Sequence, residues 1–328
     1  MKQYTVILFI AAALLLSLNG CSTAKEPAFA AKKRVKIGIM LSDAGLGDQS
    51  FSDAGFAGLE KARDEEDIVF NYRELKSSES YEAGIQSLVK EGNDLVIGLG
   101  FAMQKDLEKV AQKYPKQKFL LIDSQSKLSN VYSVTFKEEE GSYLVGAIAG
   151  MKTKSNVAGF IGGVDVPLIR KFEKGYIQGI RAVNPKAKVI SEFAGTFDDD
   201  KLGEQMAKRM ITKRADYIYP PAGFTGVGAL LETQKAGVYA FGVDTDQYYL
   251  AEKAVATSMV KKVDVAIYQA AKEMAKTGQL REKDSVLGIK EGGIDIAPVR
   301  VIQLNAKQQA RLNELKEGIS QGTIHIQL

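Results

Sequence analysis

The chain has 328 residues, a formal net charge of +4 and a hydrophobic content of 45%, which suits one large or two medium globular domains. It contains a single cysteine, Cys21, and a single histidine, His325. This scarcity excludes a disulfide within the chain and argues against a cysteine–histidine nucleophile or a zinc site. The lysines lie among carboxylates rather than in a basic stripe, so we predict no nucleic-acid partner.

The N-terminal segment has the pattern of a bacterial secretion signal. Lys2 precedes an apolar run over residues 6–18, which is interrupted only by Ser17 and is short for a membrane span. The following Leu18-Asn19-Gly20-Cys21 resembles the lipobox of lipoproteins, so we predict a lipoprotein signal peptide over 1–20 and lipid on Cys21. An ordinary secretory signal with a chance cysteine is the alternative. Residues 21–34 have the composition of a flexible tether.

From residue 35 onward, short apolar strands alternate with amphipathic helices in two successive runs. The first run predicts strands at 35–40, 68–74, 95–99, 118–122 and 131–136, with helices near 49–65, 80–91, 102–114 and 138–153. The second predicts strands at 157–162, 188–194, 217–220 and 239–243, with helices near 167–184, 199–214, 226–236 and 263–277, and a last helix near 306–321. This alternation predicts an α/β fold of two similar lobes, each a parallel sheet flanked by helices. We expect the chain to cross between lobes near 134–137, 256–261 and 284–296.

Aspartate, phenylalanine and glycine recur where the predicted strands end. Asp48 and Phe51 follow the first strand, Asp123 follows the fourth, and Phe197 and Asp244 follow strands of the second run. Ligands of open parallel sheets bind beyond the carboxyl ends of the strands. Aspartate accepts hydrogen bonds there, and a phenylalanine offers a flat apolar face. Each residue alone is as well explained by helix capping or core packing, but together they predict a small-molecule site between the lobes.

Two rival kinds of site have weaker support. The glycine-rich "GFTGVG" at 223–228 lacks the lysine and spacing of a phosphate-binding loop. The run "FDDDK" at 197–201 offers three carboxylates to a cation, but an acidic helix start explains it equally well. We therefore predict neither a metal site nor a cofactor.

Residues 35–328 resemble the basic membrane protein family of ABC transporter substrate-binding lipoproteins. The resemblance rests on ordered matches such as "GLGDQSFSDAGFAGLEKA", "FLLIDS", "EEGSYLVGAIAGMKTKSNVAGFIGG", "GTFDD", "AGFTGVGALLETQKAG", "GVDTDQ" and "TSMVKKVDVAIY". It implies a two-lobed, type I periplasmic-binding-protein fold. The implied lobes are 35–134 plus 260–285 at the N-terminal side and 135–259 plus 286–328 at the C-terminal side.

The resemblance also implies a nucleoside ligand, with purine favoured, that lies between one aromatic ring from each lobe. The rings match Phe51 and Phe197, and Ser52 stands where the family commonly has a base-binding asparagine. Phe224 stands where the family more commonly has glycine. The family's ligand contacts match eight positions of this chain: Asp48, Phe51, Ser52, Asp123, Phe197, Gly223, Asp244 and Lys261.

The implied function is delivery of the nucleoside to an ABC importer. The partners are then a permease and its ATPase, and the lipid on Cys21 holds the protein at the extracytoplasmic face of the cell membrane. A ligand-sensing lipoprotein that regulates a signalling system, or one that binds a different small ligand, is the alternative. An enzyme such as a nucleoside hydrolase is disfavoured because no catalytic base with an evident partner stands out in the sequence.

Overall fold

The structure is a computed structural model that describes residues 34–328. The predicted signal peptide over 1–20, the lipidation of Cys21 and the tether up to residue 33 lie outside the described residues. Residues 34–328 form one compact unit.

The first half of the described chain follows the predicted alternation closely. Its elements are β1 (Lys36–Met40), α1 (Phe51–Glu66), β2 (Val69–Arg73), α2 (Leu75–Ser78), α3 (Tyr81–Lys90), β3 (Leu95–Leu99), α4 (Gln104–Lys113), β4 (Lys118–Ile122), β5 (Val131–Phe136) and α5 (Glu138–Lys152). The strands β3 and β4 are continuous apolar runs because helices cover both faces of a parallel sheet. The one-turn helix α2 was not predicted.

The second half repeats the pattern and then departs from it. Its elements are β6 (Val157–Gly162), α6 (Pro167–Val183), β7 (Lys188–Phe193), α7 (Asp200–Thr212), β8 (Tyr217–Tyr219), α8 (Gly223–Ala236), β9 (Tyr239–Asp244), β10 (Val255–Lys261), α9 (Val263–Thr277), β11 (Asp284–Leu287), β12 (Ile294–Ile296) and α10 (Ala306–Ser320). The strands β10, β11 and β12 were not among the predicted elements.

The described strands form two six-stranded sheets with matching topology. The first has the order β11-β5-β4-β3-β1-β2 and the second the order β12-β10-β9-β8-β6-β7. All neighbours are parallel except the β10–β12 pair at the edge of the second sheet. The predicted α/β class with two sheets of parallel strands is therefore confirmed.

The chain passes between the sheets three times. It leaves β5 for α5 at Lys137, leaves β10 for α9 at Lys262, and runs from β11 to β12 through residues 288–293. The crossing expected near 256–261 is misplaced, because those residues form most of β10 within the second sheet. The residue bounds given above for the two lobes remain a prediction.

Helices α5 and α6 pack with their backbones in contact. Gly175 of α6 faces the backbone of Glu139 at the start of α5, and a Cβ atom at this glycine would overlap it. Because of this close approach, the side chain of Lys171, one turn earlier on α6, reaches Glu138 in the first turn of α5.

Candidate functional site

A cavity of about 360 Å³ lies between the two sheets, beyond the carboxyl ends of their strands. This volume falls in the range of roughly 300–1,000 Å³ that is usual for small-molecule sites. Both halves of the fold contribute to the wall. The first sheet and its loops supply Asp43, Asp48, Phe51, Leu99, Phe101 and Asp123, and the second half supplies Phe172, Phe197, Pro221, Gly223, Asp244 and Lys261.

Seven of the eight predicted ligand-binding residues line this cavity, and Ser52 does not. Ser52 is fully buried behind the wall, where its Oγ lies 2.6 Å from Oγ of Ser42. Ser42 does line the cavity, so the hydroxyl pair presents Ser42 rather than Ser52 to the interior. Phe224, which departs from the family pattern, is half-buried and is not part of the wall.

The loop after β1 places Phe51 by using Asp48 as an internal cap. Asp48 Oδ1 accepts the backbone N–H of Ser50 at 2.9 Å, and Oδ2 accepts that of Ser52 at 2.8 Å. Phe51 then begins α1 with its ring on the cavity wall. Burial raises the pKa of Asp48 to about 6, although the backbone donors oppose this shift.

The loop between β7 and α7 places Phe197 on the wall of the same cavity. The backbone oxygen of Phe197 accepts the N–H of Thr225 at 3.1 Å, which ties the loop to the first turn of α8. Its ring covers Gly163 so closely that a Cβ atom there would overlap the ring. The neighbouring Asp199 caps α7 by accepting the N–H of Leu202 at 2.9 Å, which agrees with the interpretation of the acidic run as a helix start. The two phenylalanines thus reach one cavity from different halves of the fold.

A buried ionic cluster closes one side of the cavity. The Nζ atom of Lys261 lies 2.5 Å from Oδ2 of Asp123 and 3.3 Å from Oε1 of Glu138. The other carboxylate oxygen of Glu138 lies 3.1 Å from Nζ of Lys171. The ammonium group of Lys261 also lies 4.8 Å from the ring centroid of Phe51, within cation–π range.

The pKa values in this cluster follow from burial and from its excess of carboxylates. Burial raises the pKa of Asp123 to about 6; Lys261 opposes this shift, while Glu138 and Asp244 add to it. Burial also raises the pKa of Asp244, against the effects of Lys261 and Ser50. For Lys261, burial lowers the pKa, but the three carboxylates outweigh it and the net direction is upward. Lys261 is therefore a cation at neutral pH.

Several hydrogen bonds join the two halves around the cavity. Ser50 Oγ donates to Oδ2 of Asp244 at 2.5 Å. Gln247 Nε2 donates to the backbone oxygen of Gln49 at 2.9 Å, and the Tyr249 hydroxyl donates to Oε1 of the same Gln49 at 2.8 Å. The loop after β1 therefore contacts the loop after β9, so the structure has the two halves closed on each other.

Sequence reasoning missed several residues of this site, including Glu138, Phe172 and Tyr81. Phe172 and Tyr81 line the cavity from positions within predicted helices, where an aromatic residue usually belongs to the core. Glu138 is one of three consecutive glutamates that begin α5, all of them buried. The sequence signal is the run of three glutamates directly before the apolar residues of a predicted helix, since carboxylates drawn into an apolar helix need cationic partners.

Comparison with known proteins identifies the family. A family model described as ABC transporter substrate-binding protein, PnrA-like, matches residues 35–327. The chain belongs to this Bmp family. The family is a substrate-binding component of transporters rather than a class of enzymes, so the predicted family and the predicted substrate-binding role are confirmed at that level.

Individual relatives of this Bmp family protein agree with the assignment. The ABC transporter nucleoside-binding protein BmpA of Lactococcus lactis subsp. cremoris is 30% identical over 320 residues, which cover 90% of this chain and 91% of that protein. The CD4+ T-cell-stimulating antigen of Listeria monocytogenes is 29% identical over 358 residues, which cover 99% of each. A solute-binding protein of an ABC transporter system from Aeropyrum pernix K1 has a TM-score of 0.82 and 27% identity, with 89% of this chain and 92% of that one covered.

These likenesses confirm the type I periplasmic-binding-protein architecture for the Bmp family chain. Further Bmp relatives, from Pyrococcus species, are named as lipoproteins, which agrees with an extracytoplasmic location. Within residues 34–328, we find no helix with the length and apolar character needed to cross a membrane.

Proposed function

We propose that this Bmp family protein captures a nucleoside, with purine favoured, in the cavity between its two sheets. The observation that carries the proposal is the pair Phe51 and Phe197, which line one cavity from opposite halves of the fold. Stacking a base on an aromatic ring contributes ~1–3 kcal/mol per base, and a planar heterocycle between two rings gains this on both faces. The name of the Lactococcus lactis relative, a nucleoside-binding protein, supports the same ligand class.

The sugar of the nucleoside would be held by the buried aspartates. Asp123 and Asp244 both line the cavity and are both largely excluded from solvent. Oδ1 of Asp123 is buried and has no hydrogen-bond partner among the described residues. A buried acceptor without a partner is costly, so a hydroxyl group from a ligand is favoured as its partner. Ribose supplies two adjacent hydroxyl groups, whereas a free base supplies none.

The ligand is then delivered to an ABC importer by a protein held at the extracytoplasmic face of the membrane. The permease and its ATPase are the proposed partners, and the lipid on Cys21 is the proposed anchor. The signal pattern over residues 1–20 and the lipoprotein names of Bmp relatives support the anchor. Replacing Cys21 with serine should release the protein from the membrane fraction and abolish labelling by a palmitate analogue; retention of both would contradict the anchor.

Calorimetry on the purified full-length protein tests the ligand class. The protein is first unfolded and refolded to remove any bound molecule, whose mass is recorded. We expect inosine or guanosine to bind at least tenfold more tightly than hypoxanthine or ribose alone, since only the nucleoside engages both rings and carboxylates. Equal affinity for nucleoside and free ribose would sink the proposal, and so would the absence of heat with every nucleoside. Recovery of intact inosine after incubation would separate binding from hydrolysis.

A further inference from the structure

The first residue of α5 supplies a carboxylate that is absent from the family-implied ligand contacts. Glu138 is fully buried and is not part of the cavity wall. Its two oxygens lie 3.3 Å from Nζ of Lys261 and 3.1 Å from Nζ of Lys171. Lys171 also donates to the backbone oxygen of Phe136 at 3.0 Å. Its ammonium group is therefore held by Phe136 and Glu138, which lie on either side of the first crossing at Lys137. Glu138 therefore links a wall residue to a cation outside the cavity.

Charged groups from three elements act directly on Asp123. Lys261 comes from β10, Asp244 from β9 and Glu138 from α5, and each acts on Asp123. Lys171 comes from α6 and pairs with Glu138. Ser50 donates a neutral hydrogen bond to Asp244. Glu139, the next residue of α5, is also buried and interacts electrostatically with Lys171 and Glu138. The buried carboxylates therefore outnumber the two ammonium groups, so negative charge is left over when every carboxylate is ionised.

We propose that Glu138 is a positioning residue for ligand binding, which holds the Lys261 ammonium against Asp123 and, together with Lys171, sets the proton occupancy of Asp123. It does so without touching the ligand. This role deepens the proposed function. Only the effect on nucleoside affinity rests on that function, because it requires that Asp123 contacts the ligand. The ion chain Lys171–Glu138–Lys261–Asp123 connects three different elements to the wall, and Lys171 is its one member with substantial exposure.

The two members of this chain farthest from Asp123, Glu138 and Lys171, should act on Asp123 in opposite directions. Glu138→Gln removes a negative charge, so the ionised form of Asp123 becomes easier to form and its pKa falls. Lys171→Gln removes a positive charge, so the negative charge of Glu138 is less compensated and the pKa of Asp123 rises further. A purely structural role for the chain predicts no such opposition, because either substitution would then loosen the same contacts. The double variant keeps the net charge and should lie near the wild type.

Carboxyl carbon NMR of the ligand-free, full-length protein tests this directly. The protein is labelled with ¹³C at aspartate carboxyl groups, and the Asp123 signal is assigned by its loss in Asp123→Asn. We expect the wild-type midpoint to lie above the usual range of an aspartate, since burial raises the pKa of Asp123. The midpoint should move downward by about one pH unit in Glu138→Gln. It should move upward by a smaller amount in Lys171→Gln, because Lys171 is farther from Asp123 along the ion chain. Lys174→Gln is the matched control, because it removes the same charge from an exposed position of α6.

Calorimetry with inosine between pH 5 and 8 adds the functional readout. Ionised Asp123 is the hydrogen-bond acceptor, so the affinity for inosine should fall as the pH drops through the titration midpoint of Asp123. In each variant, the pH at which affinity falls should shift in the same direction as the NMR midpoint. Midpoints that stay fixed, or that move the same way in both single variants, overturn the role of Glu138. Opposite NMR shifts without any inosine heat would uphold the charge control of Asp123 and overturn the nucleoside ligand instead.

Discussion

Asp123 and Asp244 occupy equivalent positions in the two sheets. Asp123 directly follows β4 and Asp244 ends β9, and each of these strands is third from the corresponding edge of its sheet. Both residues have left-handed backbones, with φ of 66° and 64°. This conformation is uncommon outside glycine, although aspartate tolerates it better than most residues. The repeated architecture therefore places a carboxylate of the same backbone geometry on each side of the cavity.

Replacing Asp244 with alanine should weaken nucleoside binding by about a hundredfold or more, because hydrogen bonds to a charged group contribute about 1.5–3 kcal/mol each. Calorimetry measures the affinity, and circular dichroism checks that the fold persists. Asp246→Ala is the matched control: Asp246 lies in the same loop but pairs with Arg300 at 2.8 Å away from the wall. Similar losses in both variants would argue against a direct contact by Asp244.

Truncating Phe197 to alanine should lower nucleoside affinity by about tenfold or more through the lost stacking. The control is Phe224→Ala, since Phe224 is half-buried nearby but does not line the cavity. Binding heats give both affinities. If Phe224→Ala is the more damaging change, the aromatic partner has been misassigned.

Adding a methyl group at Gly163 should weaken binding about as much as losing the Phe197 ring, because the new Cβ atom would displace that ring. The double variant Gly163→Ala/Phe197→Ala should bind no worse than Phe197→Ala alone, since the methyl group then has nothing to displace. Additive losses in this double-mutant cycle would mean that Gly163 acts independently of the ring.

Removing the hydroxyl group of Tyr249 should accelerate nucleoside release. The bond from this hydroxyl to Gln49 joins the two halves in the closed structure and lies outside the cavity. Its loss should raise the dissociation rate about two- to tenfold, as expected for a single exposed hydrogen bond. Stopped-flow fluorescence measures the rate in Tyr249→Phe, with Tyr248→Phe as the neighbouring control. Unchanged release would show that this bond does not hold the closed form.

The pH dependence of stability should reflect buried Asp48. Its pKa is raised to about 6 from the usual 3.8, so between these values the folded protein binds more protons than the unfolded chain. This group therefore favours folding below about pH 4, and that contribution is lost as the pH rises through about 6. In Asp48→Asn, the free energy of unfolding should fall less between pH 4 and 7 than it does in the wild type, whatever the effect of the substitution on absolute stability. Urea unfolding at four pH values tests this, and parallel curves for the two proteins would contradict it.

Secondary structure could be predicted from the sequence where the local residue pattern matches the place of the element in the fold. β3 and β4 were predicted at their observed bounds because a strand covered on both faces is a continuous apolar run. β10 was missed because it carries Thr257 and Ser258, which look like loop residues. Both are buried, and hydrogen bonds to Ala297 and Gln247 satisfy them from elsewhere in the chain.

The same limit applies to the site. Seven of the eight predicted residues line the cavity because each follows a strand end or a family motif that fixes its place. Ser52 lies behind Ser42 instead, since the turn of α1 after Phe51 directs it inward. Glu138 could not be assigned to Lys261 from the sequence, because 123 residues separate them and only the packing of α5 against β10 brings them together.

Lys261 and Glu138 each adjoin a crossing, at Lys262 and Lys137 respectively. When two rigid bodies rotate about a pivot, atoms beside the axis travel least and those at the far rim travel most. The ionic cluster would thus keep its contacts during much of the opening motion, while the contact between Gln49 and Tyr249 at the rim breaks early. A departing ligand would lose its contacts with the rim first and its contacts with the ionic cluster last.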